Sequence, residues 1–373
     1  MRGPVIDAPA LTDRVARSRM LLDALGLDAL LVSRNANKRY LSGFTIARGD
    51  EGTSGYSGTL LLTRDAQILL ADGRYMEQAT DEAPGWEVRR TRGRLATEVA
   101  DLFARVGIRR CGVEARVVSH AEWTALTEAA PGVELEPLDD ALAELRLRKE
   151  PAELAALERA CSLTDACFAH LLATVQRGMT EQQVAWELED WFRHNGAEDL
   201  AFEPLVLVGA RAAMPHGAPS AATLREGEPL LIDFGCQVDG YRSDMTRTIF
   251  VGEPTARQRE LYAIVLAAQQ AAYDALRPGV IGAEVDRAAR DVIERAGFGE
   301  AFSHGLGHGI GLETHEAPSL LSYQEALRSG MVFTLEPGIY LPGEIGIRIE
   351  DDYLLTADGP RRLTSAPREL IVI

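Results

Sequence analysis

Hydrophobic and polar residues follow two different periods along the first third of the chain. Helical spacing runs through LTDRVARSRMLLDALG (11–26) and RYMEQATDEA (74–83). Between and after these segments lie short runs of strand length, namely DALLVS (28–33), GTLLLT (58–63), AQILLAD (66–72) and CGVEARVVS (111–119). Helices that alternate with short strands predict an α/β domain with a mixed or parallel sheet.

The pattern changes near residues 145–151, which predicts a domain boundary there. In ELRLRKEPAELAALERA (144–160), Pro151 stands where a new helix would take its first turn, and Glu153 lies in that turn. A chain of 373 residues is also too long for one ordinary hydrophobic core. We therefore predict an N-terminal domain over 1–147 and a C-terminal domain over 148–373.

The C-terminal domain contains an internal repeat. The segments GMTEQQVAWELEDWFRHNG (178–196) and GVIGAEVDRAARDVIERAG (279–297) both have helical spacing and both end in glycine. Thr180 and Gln183 form a capping-box pattern in the first copy, and a longer helical segment precedes each copy, at 152–176 and 255–277. Two related halves, with helices covering one side of a curved sheet, are the interpretation we favour, and two unrelated amphipathic helices are the alternative.

Two aspartates of the first half are expected to meet on one face of a hairpin. The segment PLLIDFGCQVDGYRSDMTRTIFVG (229–252) has a strand, an Asp-Gly turn at 239–240 and a return strand. Pairing through this turn places Asp233 opposite Thr246, with Asp244 as its diagonal neighbour. A carboxylate buried at such a position needs a cation or hydrogen-bond donors.

Two glutamates of the second half are expected to meet in the same way. The segment MVFTLEPGIYLPGEIGIRIEDD (331–352) has a Pro-Gly turn at 342–343, and Glu336 faces Glu350 if the hairpin loop has an odd number of residues. Like charges this close stay ionised only when a compensating charge lies between them. Two divalent cations would balance the four carboxylates of the two hairpins.

The segment HGLGHGIGLETHE (304–316) holds three of the seven histidines of the chain among four glycines. Glycine is a poor interior residue of helices and strands, so the segment serves another purpose. One imidazole from it, added to the four acids, makes a ligand set that suits a pair of divalent metals such as manganese, cobalt or zinc. The alternative is a structural ion network in which Arg242, Arg247 and Arg348 neutralise the acids without metal.

Composition excludes several other classes of function. A formal net charge of -17 repels nucleic acid and anionic membranes, and no apolar run approaches the roughly 20 residues of a membrane helix. No secretory signal is visible either, so we expect a cytoplasmic protein. The four cysteines have no C-x-x-C spacing, which is typical of small buried apolar residues and not of a disulfide framework or zinc ribbon.

Several strings of the C-terminal domain closely resemble the metallopeptidases of the pita-bread fold, which include methionine aminopeptidase, aminopeptidase P and prolidase. They are IDFG (232–235), RSDMTRT (242–248), GLGHGIGLETHE (305–316), FTLEPGIY (333–340) and GIRIED (346–351). NKRYLSGF (37–44) and the linker RLRKEPAEL (146–154) are similar to the proline-specific branch. The resemblance implies a creatinase-like α/β N-terminal domain and an α+β pita-bread catalytic domain with a pseudo-twofold internal repeat.

The resemblance also implies roles for individual residues. Glu336 would bind metal and move protons as general base, whereas His216 and His315 would contact the substrate carbonyl. His304 would line the proline pocket and Arg348 would bind substrate, while His120, His170 and His194 lie in helical patterns and are expected to be structural. The implied ligands of two divalent metals, with manganese the first choice, are Asp233, Asp244, His308, Glu336 and Glu350.

The activity implied by the resemblance is hydrolysis of the peptide bond before proline, in Xaa-Pro dipeptides or at the N-terminus of longer peptides, by a homodimer. Some prolidases have an arginine four positions after the residue that matches His315, where this chain has Ser319. Lys38, Arg39 or Arg48 could supply a cation for the proline carboxylate instead, with 46–58 as a lid. Two alternatives are a metal-free creatinase-type amidinohydrolase and a non-catalytic peptide-binding module, and the complete ligand set disfavours both.

Overall fold

The structure is a computed structural model that describes residues 8–46, 57–139 and 142–373. The chain forms two compact units, Met1–Leu145 and Arg146–Ile373. The proposed lid at 46–58 and Arg48 lie almost entirely outside the described residues. Within the described residues, no helix is both long enough and apolar enough to cross a membrane.

The first unit is built on a mixed sheet of six strands in the order β4-β3-β2-β1-β5-β6. Strand β1 is parallel to β5 and antiparallel to β2. The strands are β1 (Ala29–Val32), β2 (Thr59–Thr63), β3 (Gln67–Ala71), β4 (Glu87–Arg90), β5 (Arg110–Glu114) and β6 (Glu134–Leu138). The helices are α1 (Ala8–Leu25), α2 (Asn35–Ser42), α3 (Met76–Glu82), α4 (Leu95–Val106) and α5 (His120–Ala129), followed at the boundary between the units by α6 (Ala143–Arg146).

The predicted α/β character of this unit is confirmed. One strand is shorter than expected, and the prediction did not include strands β4 and β6 or helices α2 and α4. Strand β5 ends at Glu114 because the next residues turn back, with the Val117 and Val118 amides donating to the Glu114 carbonyl. The Glu114 carboxylate accepts the amide hydrogens of Ser33 and Arg34 at the start of α2. Helix α2 therefore depends on a partner some 80 positions away, which local spacing cannot show.

The second unit repeats a plan of two helices followed by strands. In the first half these elements are α7 (Pro151–Thr174), α8 (Glu181–His194), β7 (Asp199–Leu200), β8 (Leu205–Val208), β9 (Glu228–Phe234), β10 (Cys236–Val238), β11 (Tyr241–Arg242) and β12 (Met245–Val251). In the second half they are α9 (Ala256–Ala275), α10 (Gly282–Arg295), β13 (His308–Gly309), β14 (Glu316–Ser319), β15 (Val332–Leu335), β16 (Gly338–Leu341), β17 (Ile345–Arg348), β18 (Asp351–Thr356) and β19 (Gly359–Arg362). Short 3-10 helices lie at Gly209–Ala213 and Gly299–Ala301.

The internal repeat is confirmed at the level of individual hydrogen bonds. Helices α8 and α10 have 14 residues each. Gly178 donates its amide to Leu224 before α8, and Gly279 donates to Leu327 before α10. Each half has its own apolar core, one including Val184 of α8 and the other Val285 of α10. The predicted helix start at Pro151 and the capping box at Thr180 are also present.

Both hairpins have the predicted register. Asp239 and Gly240 take positive φ angles of 51° and 81° at the first turn, and Thr246 pairs with Asp233. In the second hairpin Leu341 pairs with Ile345 across a three-residue loop. Glu336 and Glu350 face each other, because Gly338 pairs with Arg348 on one side of them and Leu335 pairs with Asp351 on the other.

Candidate metal centre

Strand ends bring the predicted ligands together. Asp233 is near the end of β9, Asp244 directly precedes β12, and His308 begins β13. Glu336 follows β15, and Glu350 lies between β17 and β18. One ligand atom from each of Asp244, His308 and Glu350 lies within 4.8 Å of the other two. The two halves therefore contribute donors to one point.

The His308 ring is oriented for ligation through Nε2. Its Nδ1 lies 3.1 Å from the Gly309 carbonyl oxygen, a partner that takes the Nδ1 proton. Its Nε2 lies 3.5 Å from Glu336 Oε1 and 3.8 Å from Asp244 Oδ2. The unprotonated nitrogen therefore faces the acids, as a metal ligand requires.

The glycines around His308 allow close packing of the backbone. A Cβ added to Gly307 would collide with the carbonyl oxygen of Thr334, and one added to Gly309 would collide with that of Ala317. The Thr334 hydroxyl oxygen also accepts the His308 amide hydrogen at 3.2 Å. At these two positions the close approach is to neighbouring strands, and it fixes the place of the imidazole.

The acids at the centre cannot all be ionised on their own. Burial raises the pKa of Asp244 well above its usual range, and repulsion from Glu350 and Asp233 adds to the effect. Burial, then repulsion from Glu336, likewise raises the pKa of Glu350 well above its usual range. The pKa of Glu336 rises to about 8, mainly through burial. Without another positive charge, the cluster must hold protons.

The donors present fit divalent cations. Asp233 Oδ1 and Asp244 Oδ1 are buried, and neither has a hydrogen-bond partner among the described residues. Buried polar atoms without partners are rare and indicate an additional ligand. Carboxylate oxygens with one imidazole suit manganese, cobalt or zinc. Cations here would satisfy both orphan oxygens and lower the raised pKa values.

The alternative of an arginine network does not balance these acids. Arg247 is buried against Asp351, outside the ligand set. Arg348 donates from Nη2 to Asp233 Oδ2. The pKa values of Asp244, Glu336 and Glu350 remain raised although these guanidinium groups are in place. The charge that the centre requires is therefore still lacking.

A chain of hydrogen bonds links His304 to the centre. His304 Nδ1 lies 2.8 Å from the Gly305 carbonyl oxygen, so Nε2 can accept from the Tyr340 hydroxyl at 2.8 Å. The Tyr340 oxygen in turn accepts from Arg348 Nη1 at 2.7 Å. Arg348 is only 3% exposed and also donates to Thr246 Oγ1. Its guanidinium therefore faces protein acceptors, which does not favour the predicted direct contact with substrate.

The other two predicted substrate histidines lie around the same space. The rings of His315 and His308 are 4.2 Å apart. Burial lowers the pKa of both His304 and His315, and His216 lies near enough to lower each further. His216, His304 and His315 therefore face a common region, and burial keeps His304 and His315 neutral near pH 7.

Several residues of the site were not predicted from the sequence. The Asp352 Oδ2 atom accepts the Asp244 amide hydrogen at 2.9 Å. The Thr246 hydroxyl donates to Glu350 Oε2 at 2.6 Å. Glu316, beside His315, accepts from Arg146 and Lys149. A signal existed for Thr246, which the predicted register places opposite Asp233. One also existed for Asp352, which follows Glu350 by two positions, the spacing that places side chains on one side of an extended chain.

Burial and charge together define the state of Glu316. Burial alone would raise the pKa of this carboxyl, but attraction to Arg146 and Lys149 outweighs it and lowers the pKa to about 2. The Glu316 side chain is therefore an anion at neutral pH and holds the segment after His315 against the start of the second unit.

A buried cluster of carboxylates and imidazole at the meeting point of two β-hairpins defines a metal-dependent hydrolase. Comparison with known proteins agrees with this class. Residues 155–357 match the model of metallopeptidase family M24, and residues 14–148 match that of the creatinase/prolidase N-terminal domain. The chain belongs to metallopeptidase family M24.

Individual relatives cover nearly the whole chain. The Xaa-Pro dipeptidase of Pyrococcus horikoshii is 35% identical over 97% of this chain and 99% of its own length. The solved structure of an Xaa-Pro dipeptidase from Bacillus anthracis has 37% identity and a TM-score of 0.91, covering 97% of this chain and 100% of that one. An X-Pro aminopeptidase from Thermotoga maritima has 33% identity and a TM-score of 0.88, covering 96% and 99%. The pita-bread fold and the proline-specific resemblance are thus confirmed.

Proposed function

We propose that the chain hydrolyses the peptide bond preceding proline at the free N-terminus of a peptide. The observation that carries this proposal is the convergence of Asp244, His308 and Glu350 within 4.8 Å, with Glu336 beside His308. Relatives along the full chain are named Xaa-Pro dipeptidases or aminopeptidases. A retained ligand set does not favour a metal-free creatinase-type enzyme or a non-catalytic binding module.

We assign Asp233, Asp244, His308, Glu336 and Glu350 as ligands of two divalent cations. When bound, these cations would polarise the substrate carbonyl and lower the pKa of a water molecule. Burial raises the pKa of Glu336 to about 8, and bound cations would lower it. The Glu336 carboxylate can then accept the proton of the attacking water and deliver it to the proline nitrogen. Manganese is the metal we propose.

His216, His304 and His315 orient the substrate and stabilise the developing charge. His315 and His216 can donate N–H hydrogen bonds to the oxygen of the scissile carbonyl as negative charge develops there. His304, held by Tyr340 and Gly305, presents a ring edge for the pyrrolidine of proline. Arg348 holds Asp233 and Tyr340 in place, so its effect on substrate binding passes through them.

The chemistry of proline explains why cleavage before it needs a specialised active site. An Xaa-Pro bond has no N–H for a peptidase to grip, and the proline ring fixes φ. The preferred substrate length is a separate question. Ser319 offers no positive charge for a free proline carboxylate, and the relatives are named both as dipeptidases and as an aminopeptidase.

Hydrolysis of Ala-Pro and Ala-Pro-Ala, compared at equal metal loading, tests both the activity and the length preference. Cleavage before proline in either peptide supports the proposed function, and the ratio of the two kcat/KM values assigns the length. Ala-Ala and Ala-Ala-Ala are the matched controls. Failure to cleave any of the proline peptides by the metal-loaded chain would overturn the proposal.

We further propose a cytoplasmic homodimer. Four buried cysteines without disulfides suit a reducing compartment, and twofold dimers are the commonest protein assemblies. Size-exclusion chromatography coupled to light scattering should give twice the mass of one chain, which is 40.6 kDa. A mass of one chain would contradict the dimer, and fractionation of cells would test the compartment.

A further inference from the structure

A buried acid outside the metal centre lies at the start of helix α8. The side chain of Glu181 is fully buried, and its two oxygens accept hydrogen bonds from three residues. Oε1 accepts the Val208 amide hydrogen and Arg211 Nε–H, both at 2.9 Å. Oε2 accepts from the Ser220 amide at 2.8 Å and from its hydroxyl at 2.6 Å. Val184 and Leu188 of the same helix fill the apolar core. Glu181 therefore contributes hydrogen bonds and not core packing.

The partners of Glu181 enclose the loop that carries His216. Arg211 precedes the histidine and Ser220 follows it, and Arg211 also donates from Nη2 to the Ala218 carbonyl at 2.8 Å. The backbone continues the attachment, with the Gln182 amide donating to the Ser220 carbonyl at 3.1 Å. His216 itself is exposed, so the position of its ring depends on how both ends of this loop are fixed.

The second half contains a similar arrangement on the equivalent helix. Asp286 of α10 is buried, and its Oδ1 accepts the Leu306 amide hydrogen at 2.8 Å. Arg290 pairs with Asp286 and donates to the carbonyl oxygens of Phe302 and His304, both at 2.9 Å. The loop that carries His304 is therefore fixed at both ends by one buried acid and one arginine.

We propose that Glu181 and Asp286 are positioning residues, each of which fixes the substrate-facing histidine of its own half. This inference rests on the proposed function for the roles of His216 and His304. Charge-assisted hydrogen bonds in a buried setting are strong and directional, and an error of about 1 Å in a group that contacts substrate can lower the rate about 100-fold. The two acids act through the histidines and do not touch substrate themselves.

The test is a pair of double-mutant cycles with Ala-Pro and Ala-Pro-Ala as substrates. Glu181→Gln removes the negative charge that pairs with Arg211. It also places an amide NH2 group where a carboxylate oxygen accepts hydrogen bonds. We expect kcat/KM to fall about 10- to 100-fold. In a His216→Ala background the same change should cost less than about 2-fold, since the group being positioned is gone. Asp286→Asn should behave likewise with His304→Ala. When the acid and the histidine belong to different halves, as in Glu181→Gln with His304→Ala, the two fold-losses of kcat/KM should simply multiply.

Amide hydrogen exchange provides a second measurement that needs no peptidase activity. Glu181→Gln should accelerate exchange in peptides covering 208–222 and leave those covering 302–316 unchanged, whereas Asp286→Asn should do the reverse. Glu187→Gln, at a partly exposed position of the same helix where Glu187 contacts His170, is the matched control and should alter neither. Ser220→Ala, which removes one donor only, gives a milder form of the first variant if that one unfolds.

Three results separate the possible failures. An equal loss of kcat/KM in the presence and absence of His216 would overturn the proposal for Glu181, as would unchanged exchange in 208–222. The corresponding results with His304 and 302–316 would overturn it for Asp286. Absence of proline peptidase activity in the unaltered chain, together with the expected exchange pattern, would overturn the proposed function and leave the loop attachment intact.

Discussion

The two halves of the second unit share a frame but supply different chemistry. Helices α8 and α10 begin 101 positions apart and have the same length. Each is followed by a hairpin whose strands carry two acids at or beside their ends. The first half gives Asp233 and Asp244, with short side chains on one hairpin. The second gives Glu336, Glu350 and His308. The repeated fold thus determines where metal-binding side chains can lie, and the residue types in each half determine their chemistry.

The sharpest difference between the halves is that Glu336, which we propose as the proton carrier, comes from the second. Glu336→Gln should keep the hairpin and lower kcat by about 100- to 10,000-fold, because the amide cannot receive a proton. The measurement is hydrolysis of Ala-Pro and Ala-Pro-Ala by metal-loaded protein. Glu344→Gln, at the exposed turn of the same hairpin, should retain activity. Near-normal turnover by the first variant would remove Glu336 from this role.

The second half is also tied to residues 146–149 through Glu316. Glu316→Gln leaves Arg146 and Lys149 buried beside a neutral group, and the free energy of unfolding should fall by about 3–5 kcal/mol at pH 7. Urea titration monitored by circular dichroism measures it. Glu313→Gln, at a more exposed carboxylate that also meets Arg146, should have a smaller effect.

The pH dependence of this difference follows from the lowered pKa of Glu316. Its ordinary value is 4.5 and its folded value about 2, so the anion stabilises the fold above pH 4.5. The stabilisation is lost progressively as pH falls from about 4.5 through 2. The gap between the unaltered chain and Glu316→Gln should therefore shrink between pH 5 and pH 3. A gap of constant size over that range would contradict the assignment.

The halves are joined behind the metal centre by Asp352, which accepts the amide hydrogen of Asp244. Asp352→Ala removes this acceptor and should weaken metal affinity by about 10- to 100-fold, as loss of groups that support metal ligands typically does. Burial raises the pKa of Asp352 to about 8, so the side chain is largely neutral and Asp352→Asn should be mild. Competition with a chelator measures both. Equal effects of the two variants would argue against this contact.

The smallest difference concerns how the equivalent helices begin. Thr180 caps α8, its hydroxyl accepting the Gln183 amide hydrogen at 3.1 Å. Ile281, at the matching position before α10, forms no side-chain cap with the described residues. Thr180→Ala should cost about 1 kcal/mol, and Ile281→Thr should gain about 0.5–1 kcal/mol. Thermal unfolding of the two variants should shift in opposite directions, and a shift in one direction for both would mean that the caps are not equivalent.

Local patterns were sufficient to predict the frame and the facing positions of the acids. Helical period located α7 to α10, and the Asp-Gly and Pro-Gly turns set the registers that place Asp233 opposite Thr246 and Glu336 opposite Glu350. Turn geometry fixes pairing because each residue before a turn has one partner after it. This is why facing acids could be predicted from the sequence.

Residues that act through distant partners were not predictable in this way. Asp352 lies 108 positions from Asp244, and Glu181 lies 39 positions from Ser220. No periodicity marks such pairs, since a buried acid looks the same in sequence as a surface acid. Helix α2 was missed for the same reason, because the Glu114 carboxylate at its start comes from another strand.

Metal content is the most direct test of the claim that the acids of the two hairpins require bound cations. Mass spectrometry of the purified, dialysed chain should find about two divalent ions per polypeptide, and Asp244→Ala should lose most of that content while keeping its circular dichroism spectrum. A folded chain that cleaves Xaa-Pro bonds with no bound divalent metal would contradict the account.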